Sequence, residues 1–292
     1  MVSVVGTRKF RPITVEIRYR RTPGSRTRQT GAVKRSAVSP IFLGIVVVTI
    51  AGALLCTVNS SAAQTAGTVL FILGGWGVTL CLHEFGHAIT AYKGGDYSVR
   101  SKGYLNLDPR RYTDPVFSLL LPVLFLVIGG IPLPGGAVWI NHHAIRSKKM
   151  DSLASLAGPL SNLVAGIVLA VIAGVVWPGE TDPSFLFTGQ VSAFAAAFSY
   201  LAYLQFFAFI INILPIPGLD GWGAIEPWVS PEARRFGQQV RQWAPLALFV
   251  LLFAVPAFSR VISDWSQDLF HLFGGNRYFI GTGQSNFQFW RR

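Results

Sequence analysis

The sequence predicts an all-α polytopic membrane protein with about six apolar segments, one of them a re-entrant hairpin. Three observations carry this. Only 13% of the 292 residues are charged, where soluble domains run near 25%, and 51% are hydrophobic. Mean hydropathy is positive, at +0.45. Several apolar runs also reach the roughly 20 residues that cross a hydrocarbon core.

Residues 1–39 form a basic arm, expected to be disordered. Ten of the 25 basic residues lie here, from Arg8 to Arg35, against one acid, Glu16. Such an arm fixes orientation and touches anionic lipid. The same Arg-, Ser- and Thr-rich composition also describes an organelle transit peptide, which stays open as the alternative. The net charge of +12 is not a nucleic-acid signal, because no binding motif and no interleaving of aromatic and basic residues accompany it.

The apolar runs are 40–58, 67–92, 115–140, 152–177, 185–215 and 243–258. Basic loops at 93–114, 141–150 and 216–242 separate them, whereas 178–184 carries two acids and no base and reads as external. With the arm inside, 40–58 leads out and 67–92 returns. Run 115–140 holds "IGGIPLPGGAV" and is followed by another basic loop, so a re-entrant hairpin keeps that loop inside. Irregular backbone at this depth needs a covering of protein or water. Then 152–177 leads out and 185–215 returns. Run 243–258 is short for a span, and the tail from 259 has no assigned place. The chain divides into the arm, a membrane core over 40–225, and an added membrane segment with an amphiphilic tail over 226–292. Cys56 and Cys81 read as small apolar fillers, about 18 Å apart in depth.

Within the second run stands "TLCLHEFGHAITAY", residues 79–92. Ionisable groups at bilayer depth are costly and rare. His83 and His87 lie one helical turn apart on one face and can share a metal, while Glu84 can reach a water there. Gly75 and Thr79 continue that face. A catalytic zinc keeps three protein ligands and an open position, so a third ligand must come from elsewhere. Asp220, in "FIINILPIPGLDGWGAI", is the other acid beside an apolar run without a basic cluster to explain it. Pro215 and Pro217 break the helix there, Gly218 and Gly221 permit a sharp turn, and Asn212 can bond the freed carbonyls. In "SLASLAGPLSNLVAGIVLA", residues Ala154, Gly158, Asn162, Gly166 and Ala170 form a small-residue packing face. Asn162 is either interhelical glue or a donor to substrate backbone or an oxyanion. His142 and His143 read as loop or interface histidines, with a role near substrate entry as the alternative. His271 is assigned nothing.

His-Glu-Phe-Gly-His, Ala-Gly-Pro-Leu-Ser-Asn and Asn-Ile-Leu-Pro-Ile-Pro-Gly-Leu-Asp-Gly on three segments resemble the site-2 protease family of intramembrane zinc metalloproteases. The resemblance covers roughly residues 40–225. It implies His83, His87 and Asp220 as zinc ligands, Glu84 as catalytic acid/base, a substrate role for Asn162, and a β-like re-entrant segment at about 94–140. The expected protein is a multi-pass enzyme of a bacterial plasma membrane, N-terminus in the cytoplasm, that cuts a membrane-anchored substrate within or beside its span. A metal-bearing chaperone or scaffold is one rival, and Glu84 argues against it, since a structural zinc needs no base. A metal-dependent transporter is the other, and no inverted repeat supports it.

Overall fold

The structure, a computed structural model, describes residues 38–112, 138–176 and 192–291, with Leu124, Leu126 and Val127 between them. Among the described residues the regular structure is helical, with no strand.

Helix α1 (Pro40–Leu55) begins where the Ser39 hydroxyl accepts from the Ile41 N–H and Pro40 occupies the first turn. Its 16 residues rise about 24 Å, less than the roughly 30 Å hydrocarbon core. Helix α2 (Ser61–Gly94) has 34 residues and rises about 51 Å. The two helices approach so closely that a Cβ on Gly67 would lie 2.7 Å from the Gly52 carbonyl oxygen.

After α2 the chain forms α3 (Ser98–Ser101) and two 3-10 turns, Tyr104–Asn106 and Pro109–Arg111. Within the segment expected to be β-like, residues 98–111 therefore form helical turns, and the described residues 138–140 have no regular structure. The cause is local. Asp96 and Asp108 each accept the N–H of the residue two further on, at 3.0 and 3.1 Å, which offers the backbone a turn in place of a strand. The expected re-entrant hairpin at 115–140 falls almost wholly outside the described residues.

The two loops flanking it nevertheless touch. The Arg146 N–H donates to the Gly94 carbonyl at 3.0 Å, the Asn141 N–H to Asp96 at 2.7 Å, and Lys102 Nζ to the Trp139 carbonyl at 2.7 Å. Residues 94–112 and 138–146 thus share one end of the helices. Burial works against the Asp96 carboxylate, but the Ser98 hydroxyl and the N–H groups of Asn141 and Ser98 outweigh it and hold its pKa below the usual range.

Helix α4 (Lys148–Val176) and helix α5 (Ala193–Ile213) follow. With α2 they are, among the described residues, the three single helices long and apolar enough to cross a membrane. Helix α5 carries no charged residue and, apart from a few polar side chains such as Gln205 and Asn212, is apolar all round, and such a helix belongs in the middle. Its Tyr200, Leu204, Phe206 and Ile211 are fully buried, and it contacts both α2 and α4.

Pro215 and Pro217 follow the end of α5, and helix α6 (Asp220–Ile225) starts after the break. Then come α7 (Pro231–Val240), α8 (Ala244–Ala254), α9 (Pro256–Leu272) and α10 (Arg277–Phe287). The chain bends by 90° between α8 and α9. A proline forces the residue before it out of the helical region, and Val255 sits at φ −116°, ψ 87°. The last apolar run is therefore not one straight helix. The tail then returns to the bundle, where Phe270, Ile280 and Phe287 join the core around α5. Cys56 and Cys81 are free and buried.

Candidate metal centre

The centre sits near the C-terminal end of α2, between α4 and the start of α6. His83 and His87, four residues apart, turn their rings to the same side, with Nε2 atoms 3.1 Å apart. Each ring is fixed from behind by α4. His87 Nδ1 lies 2.8 Å from the Ala154 carbonyl oxygen, and His83 Nδ1 lies 2.5 Å from Asn162 Oδ1. Both partners are oxygens that can only accept, so in both rings Nδ1 donates, and a neutral ring then offers its Nε2 lone pair to a metal. The Asn162 orientation is set by its other end, where Nδ2 donates to Gln205 Oε1 of α5 at 2.8 Å.

Between these two anchors on α4 lies Gly158. A Cβ there would collide with the Nε2 atoms of both histidines. The four-residue stripe Ala154–Gly158–Asn162 thus has one task per position: carbonyl acceptor, open space, amide acceptor.

Asp220 completes the group from α6. Its Oδ2 is 3.2 Å from His83 Nε2 and its Oδ1 is 3.4 Å from His87 Nε2. The turn that delivers it needs glycine twice. Gly218 has φ +102°, and a Cβ on Gly221 would strike the Ile213 carbonyl. Among the described residues, Asn212 makes no hydrogen bond to the freed carbonyls. It lines a cavity of about 20 Å³, room for about one water, together with Trp76, Thr79, Leu80, His83, Asn162 and Ala208.

Glu84 is 1% exposed, and its Oε2 accepts the Val138 N–H at 3.0 Å. His142 and His143 lie apart from the group in an exposed turn, His142–Ala144. His142 Nδ1 meets Asp151 at 2.6 Å, and that carboxylate raises its pKa above the ordinary imidazole value. His271 contacts the Gly275 carbonyl in the tail. Sequence reasoning missed two participants. Gln205 carried a signal, being an amide at bilayer depth in an apolar run. Val138 carried none, because it acts through its backbone.

The donor set fits a small tetrahedral ion. Bonds of about 2.0–2.1 Å at tetrahedral angles place ligand atoms about 3.3 Å apart. The two Nε2 atoms, 3.1 Å apart, match that figure, and Asp220 sets one oxygen beside each, Oδ2 at 3.2 Å from His83 and Oδ1 at 3.4 Å from His87. A His pair one turn apart with an adjacent buried glutamate, joined by a carboxylate from another helix, is the constellation of a zinc metalloprotease.

Comparison with known proteins agrees. The chain is 39% identical over 255 residues to "Putative zinc metalloprotease Rip2" of Mycolicibacterium smegmatis, covering 86% of this chain and 94% of the relative. It is 38% identical over 265 residues to the protein of that name in Mycobacterium tuberculosis, covering 90% and 98%. "Putative zinc metalloprotease YwhC" of Bacillus subtilis is 30% identical over 189 residues, covering 63% and 80%. No family model matches the chain, and no solved structure matches it. The chain belongs to the site-2 protease family of zinc metalloproteases, and Zn²⁺ is its metal.

Proposed function

We propose that this protein hydrolyses a peptide bond within or next to a transmembrane segment of a membrane-anchored substrate. One observation carries the reading: donor atoms of His83, His87 and Asp220 lie within 4.8 Å of one another, and the two histidines stand on a helix apolar and long enough to span a bilayer. In this reading the three residues hold one Zn²⁺. When bound, zinc supplies a Lewis acid that polarises the scissile carbonyl and lowers the pKa of a water towards about 7. Glu84 takes the proton from the attacking water and hands it to the leaving amine. The Val138 N–H holds one Glu84 oxygen at 3.0 Å and orients the carboxylate for that transfer. Pro215, Pro217 and Gly221 keep the backbone break that aims Asp220, and Asn212 faces the cavity beside the ligands. A helical substrate hides its carbonyls in its own hydrogen bonds, so it must unwind locally before attack.

The relatives are bacterial, which favours a bacterial plasma membrane. The basic arm and loops favour a cytoplasmic N-terminus with the zinc site towards that side. The test compares membrane-derived peptide fragments from cells carrying the wild type or Glu84→Gln. Wild-type cells should contain fragments ending within or beside a substrate span, and the variant should lack them. Identical fragment sets would contradict the reading.

A further inference from the structure

We infer that Gln205, which touches no metal ligand itself, is a positioning residue that sets the tautomer of His83 through Asn162. The inference rests on His83 being a zinc ligand. Three helices supply the relay: His83 from α2, Asn162 from α4 and Gln205 from α5. All three side chains are buried, with His83 7%, Asn162 4% and Gln205 0% exposed.

The logic lies in the two ends of the asparagine amide. Flipped one way, Asn162 offers an oxygen to His83 Nδ1 and leaves Nε2 bare for a metal. Flipped the other way, it offers an N–H, and His83 Nδ1 must then accept. That tautomer puts the hydrogen on Nε2, where zinc has to bind. His83 alone cannot choose between these states, because its ring adapts to either. Gln205 chooses. Its Oε1 accepts from Asn162 Nδ2 at 2.8 Å, which leaves Oδ1 facing His83 at 2.5 Å.

A second observation concerns the other end of Gln205. Its Nε2 is buried and has no hydrogen-bond partner among the described residues. Buried polar groups are almost always paired, and an exception calls for a reason. The neighbours of Gln205 on the same face of α5, Leu201, Ala202 and Ala208, are buried and apolar. An apolar residue at 205 would avoid the unpaired donor, but it would lose the acceptor that orients Asn162. By contrast, His87 needs no such device, because the Ala154 carbonyl that fixes it cannot flip.

The test measures zinc affinity of the full-length protein in detergent by chelator competition, with melting of the metal-free form recorded alongside. Gln205→Leu should weaken zinc binding about 10-fold, at the low end of the range for residues that orient a ligand. Asn162→Asp supplies the decisive background. A carboxylate has two accepting oxygens and no wrong orientation, so adding Gln205→Leu to it should leave zinc affinity unchanged. A purely structural glutamine would instead weaken binding equally in both backgrounds, or lower metal-free melting with affinity intact. Either result overturns the inference, as does unaltered affinity in Gln205→Leu alone. Gln205→Met, judged by the same criteria, replaces Gln205→Leu if that variant does not fold. His83→Ala separates the two levels: if it keeps full zinc, the ligand assignment has failed, and with it the ground for the relay.

Discussion

The two walls of the metal centre are built differently. On the α4 side, regular helix meets regular helix, and each histidine has its outer nitrogen committed to an oxygen, with side chains 9% and 7% exposed. On the α6 side, Asp220 comes off an irregular proline break and its side chain is 26% exposed. Among the described residues, the polar partners of its carboxylate are the two histidine rings. The histidine half is therefore preorganised by the fold, whereas the aspartate half depends on what it binds.

The comparison breaks most directly at Gly158. A methyl there collides with both Nε2 atoms, so Gly158→Ala should cost zinc affinity at least the roughly 10–100-fold of a lost outer contact. The same collision overpacks the metal-free protein, at a cost of about 1–3 kcal/mol, so metal-free melting is recorded alongside and affinity is compared on folded protein. Titration of zinc binding checks this, and wild-type affinity would mean that the histidines do not face α4 as described.

Metal removal sharpens the contrast. Chelation should raise hydrogen exchange across 214–225, whose aspartate loses its counter-charge, while leaving 80–90 nearly as protected as before. Equal loosening of both stretches would deny the preorganisation of the histidine half.

The loops beside Val138 give a smaller, topological test. Ser101 and Ser147 are exposed in loops that hydrogen-bond to each other, and the native cysteines are buried. Ser101→Cys and Ser147→Cys should both react with a membrane-impermeant thiol reagent from the cytoplasmic side. Labelling from opposite sides would be incompatible with the loop contacts.

The smallest effect concerns His142 and Asp151. The Asp151 carboxylate raises the His142 pKa, so the pair's contribution is complete below the unfolded value of about 6.5 and fades as pH rises through the folded value. With His142 54% exposed, the contribution should not exceed about 1 kcal/mol. Melting of wild type and Asp151→Asn between acid and neutral pH checks the sign, since the variant should lose this slope.

How much of this was legible follows from where each signal lives. His83, His87 and Glu84 announced themselves because charge at bilayer depth is costly, and Asp220 because the Pro215/Pro217 break and its glycines framed it. The stripe at Ala154, Gly158 and Asn162 was visible as spacing, but its target was not, since a small residue leaves no record of what it makes room for. Asn162 was read as interhelical glue or a substrate contact; its hydrogen bonds to His83 of α2 and Gln205 of α5 do join three helices, but nothing in the sequence indicated that one partner would be a histidine of the site. Val138 acts through a backbone N–H that any residue but proline has. The return of the tail escaped too, because Phe270, Ile280 and Phe287 find their partners far away in sequence.

The central claim is that three residues hold zinc and a fourth, Glu84, does chemistry without holding it. Zinc content and cleavage, measured together on purified Asp220→Ala and Glu84→Gln, address it directly. Asp220→Ala should lose both. Glu84→Gln should keep its zinc and lose cleavage by about 10²–10⁴-fold, the scale of a missing general base. Full zinc and full activity in Asp220→Ala, or undiminished cleavage in Glu84→Gln, would contradict the account.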